Sequence, residues 1–163
     1  GVPVHLPQRD RVYTAEAGEA IAREFLKHNV IVSTQLVAFT LWEMLRLRHR
    51  ELDMYRLIRT GDEGAGTSAT ALVERVLRVW QALERRAARH ELHLEEGIVQ
   101  SGDAAAIVQT ALRHFGTYHD KPVMMRRGDR IFAEDMKLLF YYSNRLRGYG
   151  LEKELEQVLR EVA

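Results

Sequence analysis

The sequence predicts a mainly α fold: a multi-helix domain with one small β-hairpin at about residues 122–133. Three observations predict it. Apolar residues recur at helical spacing along most of the chain. Two short apolar runs flank a turn at Gly128-Asp129, with Val123, Met124 and Met125 before it and Ile131 and Phe132 after it. The 163 residues are 46% hydrophobic and 29% charged, an ordinary balance for one globular core.

Taken in order, residues 1–13 read as an extended lead-in, because Pro3 and Pro7 hold their neighbours out of helix. Thr14 can cap a helix over 15–28, with Ala17, Ile21, Phe25 and Leu26 at helical spacing and Asn29 as its stop. Ser33 or Thr34 can cap the next helix, to about 48. Its Leu36, Val37, Leu41, Met44, Leu45 and Leu47 form a broad face, with Phe39 and Trp42 beside it. A helix apolar almost all round belongs at the centre of a domain. A short helix at 52–58 leads into a flexible loop at 60–67, marked by Gly61, Gly64 and Gly66.

The longest helix begins at Thr67 or Ser68 and reaches about 88. Leu72, Val73, Val76, Leu77, Trp80 and Leu83 line one face; Glu74, Arg75, Arg78, Glu84 and Arg85 line the other. Leu92-His93-Leu94 alternates like a short strand. Ser101 can cap a helix to about 114, with Gly116 suited to a left-handed stop. After the hairpin, Glu134 and Asp135 favour a helix N-terminus through the macrodipole. That helix runs to about 147 and ends at Gly148, and a last one covers 151–162. Residues 14–163 thus read as a single helical domain. Three helices followed by a hairpin is also the order of a winged helix, so the middle of the chain is expected to be winged-helix-like.

Charge excludes several classes of function. Lys and Arg number 24 against 23 Asp and Glu, a net charge of +1 that offers no general pull toward nucleic acid or an anionic membrane. With no cysteine there is no disulfide, thiolate nucleophile or Cys-based zinc site. The apolar runs at 30–32 and 36–39 fall far short of the roughly 20 residues of a membrane span. The start at Gly1 carries neither an initiator Met nor a signal segment, and reads as a processed or excised piece with a cytoplasmic address.

Each chemical constellation is weak. His5 and Asp10 have a His-x4-Asp spacing, in which a carboxylate can orient an imidazole base, but no oxyanion or phosphate partner accompanies them. His90 and His93, with Glu95 and Glu96, lack a further ligand at a zinc spacing. His114 and His119 read as loop residues. The glycines at 61, 64 and 66 precede a helix but lack the Lys-Ser/Thr of a P-loop. Arg126, Arg127 and Arg130 at the hairpin tip could meet phosphates; Arg46, Arg48, Arg50, Arg56 and Arg59 could form a docking face or a solvated helix end. Asn144, inside a helix with Tyr141, Tyr142 and Ser143, is expected to spend its amide on a buried hydrogen bond. No catalytic, cofactor-binding or metal-ligating residue is assigned.

Three segments in order carry a resemblance. They are Asn29-Val30-Ile31-Val32-Ser33-Thr34-Gln35-Leu36-Val37-Ala38-Phe39; residues 106–115 with the hairpin at 123–132; and Met136-Lys137-Leu138-Leu139-Phe140-Tyr141-Tyr142-Ser143-Asn144-Arg145-Leu146. Together, over about 13–150, they resemble the region that follows the catalytic domain in large bacterial glycerol-3-phosphate acyltransferases. That family moves an acyl group from acyl-CoA or acyl carrier protein to the sn-1 hydroxyl of glycerol 3-phosphate. Its Asn/Ser-His-x4-Asp box and Phe-Pro-Glu-Gly-x-Arg motif are not complete in this chain, and Ser143 stands where the family's third segment usually has Arg. The resemblance therefore implies a non-catalytic C-terminal domain, inactive alone and needing no cofactor. Its implied partner is the acyltransferase domain of a parent chain at the cytoplasmic face of the membrane, not nucleic acid. The alternative is a winged-helix-like module that binds nucleic acid or protein.

Overall fold

The computed structural model describes residues 6–60 and 66–160. The elements run α1 (Leu6–His28), β1 (Val30–Ile31), α2 (Ser33–Arg48), α3 (Met54–Thr60), β2 (Gly66–Ser68), α4 (Ala69–Ala87), β3 (His93–Leu94), α5 (Glu96–Ser101), α6 (Ala104–Phe115), β4 (Met124–Arg127), β5 (Arg130–Ala133), α7 (Met136–Ser143), a 3-10 helix (Asn144–Tyr149) and α8 (Leu151–Arg160). The protein is a mainly α domain with a small antiparallel sheet, as predicted.

The centre is α2. Every residue from Leu36 to Leu45 is buried, including both large aromatics, Phe39 and Trp42. Each such leucine or aromatic taken from water contributes about 1.5–3 kcal/mol. Helices α4, α6 and α7, the 3-10 helix and α8 all pack on α2. The strong amphipathy of α4 and α6 follows from this, since each turns one face inward. Leu72, Val76, Val79, Trp80 and Leu83 do so from α4, and Ile107, Val108, Ala111 and Phe115 from α6. On α7, Phe140 lies 4.9 Å from Trp42, centroid to centroid.

Strands β4 and β5 form the predicted hairpin, paired from Met124↔Ala133 to Arg127↔Arg130. Gly128 takes φ +63° at the first central turn position, a conformation glycine adopts without strain and two-residue hairpins use. No sequence pattern marks β2, which pairs antiparallel with β5 to give the order β2-β5-β4. Gly66 is required there, because a Cβ would sit 2.7 Å from Phe132 Cδ1 and 2.9 Å from the Ile131 carbonyl oxygen. Helix α2, strand β2, helices α4 and α6 and the hairpin thus follow one another as in a winged helix, with α3, β3 and α5 added between.

Several local expectations are corrected. The extended lead-in of 1–13 is helical from Leu6; Pro7 falls in the first turn, where a missing N–H breaks no helical bond. Residues 1–5 lie outside the described residues, as does 61–65 of the expected loop, whose end at 66–67 is strand. Helix α6 is capped by Asp103, whose carboxylate accepts from Ala105 N at 2.9 Å, while Ser101 closes α5. Gly116 is right-handed, at φ −83°. The helix expected to reach 147 tightens to 3-10 geometry at Asn144, and the left-handed stop is Gly150 (φ +67°), not Gly148. Gly148 serves packing, since a Cβ there would lie 2.8 Å from Leu26 Cδ2.

Candidate functional site

The residues singled out in the sequence do not converge. His5 lies outside the described residues, and Asp10 is exposed beside Arg9. His90 occupies the turn after α4 in a left-handed conformation (φ 59°), whereas His93 is exposed in β3, so the two share no helix face. Glu95 does something else. Strand β3 pairs parallel with β1, and this brings Glu95 to the start of α2, where its Oε2 accepts from Ser33 N at 3.2 Å. The cap residue Val32 has no side-chain acceptor of its own, so the N-terminus of the central helix is capped by a carboxylate 62 residues away. His119 forms a 2.9 Å hydrogen bond with the Tyr142 hydroxyl, and burial pushes that phenol up from its ordinary value. Among the described residues no group of three or more His, Asp or Glu could hold a metal ion.

Most arginines of the two groups are exposed, and several engage neighbouring groups. At the hairpin tip Arg127 pairs with Glu134 at 2.7 Å, Arg130 lies over the Phe132 ring and reaches the Gly66 carbonyl, and Arg126 donates to Gly128 O at 2.9 Å. Near the end of α2, Arg48 donates to Gly66 O at 2.7 Å. Asn144, expected to make a buried hydrogen bond, is exposed; the adjacent Ser143 is the buried one, its hydroxyl donating to Phe140 O at 2.8 Å.

The densest polar cluster lies between the end of α2, the 3-10 helix and α8. Glu43 is fully buried, and its Oε2 accepts from Arg46 Nε at 2.7 Å. Its Oε1 has no hydrogen-bond partner among the described residues. Burial pushes the Glu43 carboxyl above the ordinary glutamate value; the Arg46 hydrogen bond and charge pull the other way without prevailing. Arg50 meets Glu156 at 3.5 Å and Arg147 approaches Glu152 at 3.9 Å. These arginines line a pocket of about 360 Å³ floored by Trp42 and Leu57. Each of the three guanidinium groups has a carboxylate within 4 Å, which leaves little net charge for an anion, and the Arg50–Glu156 pair ties the segment after α2 to α8. The sequence did contain a signal for it: Glu43 is the one acidic residue in a helix apolar nearly all round, and a charge in such a place must be buried and paired.

The described residues thus define a class, a mainly α domain with winged-helix strand order and no assembled catalytic constellation. No protein family, curated protein or solved structure was found to match the chain.

Proposed function

We propose that this chain is the non-catalytic C-terminal domain of a glycerol-3-phosphate acyltransferase of the large bacterial type, and that it packs against the catalytic domain and braces it. The supporting observation is that the first resembling segment and the later two, more than 60 residues further along the chain, lie on elements that pack together. The first holds β1 and the N-terminal part of α2, with Leu36, Val37, Ala38 and Phe39 of its buried residues; the second is most of α6 with the hairpin, and the third is α7 with the start of the 3-10 helix; α6 and α7 both pack on α2. That the segments belong to one core supports the reading. The parent enzyme then works at the cytoplasmic membrane face. No described helix is long and apolar enough to cross a membrane. Two measurements test the reading. The full reading frame is expected to encode His-x4-Asp and Phe-Pro-Glu-Gly-x-Arg upstream of Gly1, and the isolated chain to show no acyl transfer from acyl-CoA to glycerol 3-phosphate. Turnover by the isolated chain, or an upstream sequence without those motifs, overturns it.

The winged-helix strand order favours a second reading, a nucleic-acid-binding module. Electrostatics weigh against it. On α6, which occupies the recognition-helix position, Arg113 is the only arginine or lysine, and the hairpin arginines are held by neighbouring groups. That reading requires DNA affinity that falls steeply with salt, measurable by gel shift at two ionic strengths.

A further inference from the structure

We propose that the cleft between the C-terminal end of α1 and the junction of α7 with the 3-10 helix binds a small amphiphilic anion, a carboxylate or phosphate carried on an apolar body. The cleft measures about 630 Å³, within the usual range for small-molecule sites. Phe25 and Val30 form one wall and Tyr141 the other, and all three expose apolar surface to water. Arg145 stands at the polar end with its guanidinium 5.9 Å from the centre of the Tyr141 ring. No carboxylate lines the cleft, and none of the described residues forms an ion pair with Arg145. This distinguishes it from Arg46, Arg50, Arg127 and Arg147, each of which meets a glutamate. Asn144 adds a hydrogen-bonding group; the His28 ring is turned to Glu24, its Nδ1 3.0 Å from the Glu24 carbonyl oxygen and 3.5 Å from the Glu24 carboxylate.

The arrangement calls for both halves of the ligand. One exposed guanidinium holds a bare anion weakly, because water and salt screen it. The apolar walls hold a neutral hydrocarbon without orienting it. A ligand joining the two gains both contacts while losing its freedom of motion once. This inference does not depend on the proposed function.

The test is calorimetric titration of the full chain with octyl phosphate and octanoate below their micellar concentrations, beside inorganic phosphate and octanol. The octyl anions are expected to bind at least about tenfold more tightly than either half alone. Loss of a charge-assisted hydrogen bond in Arg145→Ala is expected to weaken them by about tenfold or more. Tyr141→Ala is expected to weaken them several-fold. Both side chains are exposed, so thermal midpoints should match the parent and report intact folding. Vesicles of neutral lipid with and without anionic phospholipid separate the two sources of such a group. Binding confined to soluble amphiphiles assigns a free ligand; additional Arg145-dependent vesicle binding assigns a lipid headgroup. Unchanged affinity in Arg145→Ala, inorganic phosphate binding as tightly as octyl phosphate, or vesicle binding with no binding of the soluble anions overturns the proposal.

Discussion

Replacing Glu43 with glutamine tests the energetics of the central helix. The wild-type carboxylate has no solvent exposure, one strong partner in Arg46 and one oxygen without a partner among the described residues. Burial holds its pKa above the ordinary value of 4.5, so the folded protein binds this proton more tightly than the unfolded chain does. The favourable contribution of Glu43 is therefore full below about pH 4.5 and is lost as pH rises through the elevated value. The glutamine variant carries no such proton, and its amide oxygen can still accept from Arg46, which is partly exposed and can share its charge with water. For one proton the gap between variant and wild type can change by at most about 1.4 kcal/mol per pH unit. Replacement of a buried ion pair by a neutral group of similar shape is commonly neutral or stabilising by about 1–4 kcal/mol, and the low end applies here because Arg46 remains. The assay is urea unfolding followed by tryptophan fluorescence between about pH 4.5 and pH 8. Trp42 and Trp80, at 1% and 5% exposure, report loss of the core directly. Glu43→Gln is expected to gain on the wild type as pH rises from about 4.5 to the elevated value, above which the gap levels off. A gap that stays constant over the whole range, or a wild type that gains on the variant, would refute the reasoning.

Three further outcomes follow from the packing. Glu95→Ala removes the distant cap of α2 and should cost about 1 kcal/mol, lowering the melting temperature by about 2–4 °C; Glu95→Gln, which keeps an acceptor, should cost less. Phe39→Ala empties a fully buried site on α2 and should cost about 3–5 kcal/mol in urea unfolding. Gly66→Ala drives a Cβ against Phe132 and the Ile131 carbonyl, so the β2–β5 pairing should loosen at a cost of about 1–3 kcal/mol, with faster hydrogen exchange at paired amides of the sheet.

The helices are readable in the sequence because their signal is local. Alternation of apolar and polar residues at 3.6-residue spacing marks which face turns inward, whatever it turns toward. Hence the core positions of α4 and α6, and the central place of α2, are legible from residues such as Leu72, Val76, Ile107 and Phe39. The hairpin is legible because Gly128-Asp129 sits between its own strands. Strands β1 and β2 are not, because two or three residues carry no periodicity and their partners lie more than 60 residues along the chain. The partners of arginines are illegible for a related reason: Arg46, Arg48 and Arg50 keep the exposure of a solvated helix end, but only the fold supplies Gly66 O and Glu156 as partners of the last two.

Sequence alone determined the helical class, the identity of the central helix and the hairpin, since these depend on neighbours within a few turns. Only the tertiary structure decided that Glu95 caps α2, that Glu43 is sealed inside, and that Arg145 stands without a carboxylate beside an apolar cleft. Those features depend on which distant groups meet, and that is settled by burying the apolar faces against one another, not by any residue's own preference.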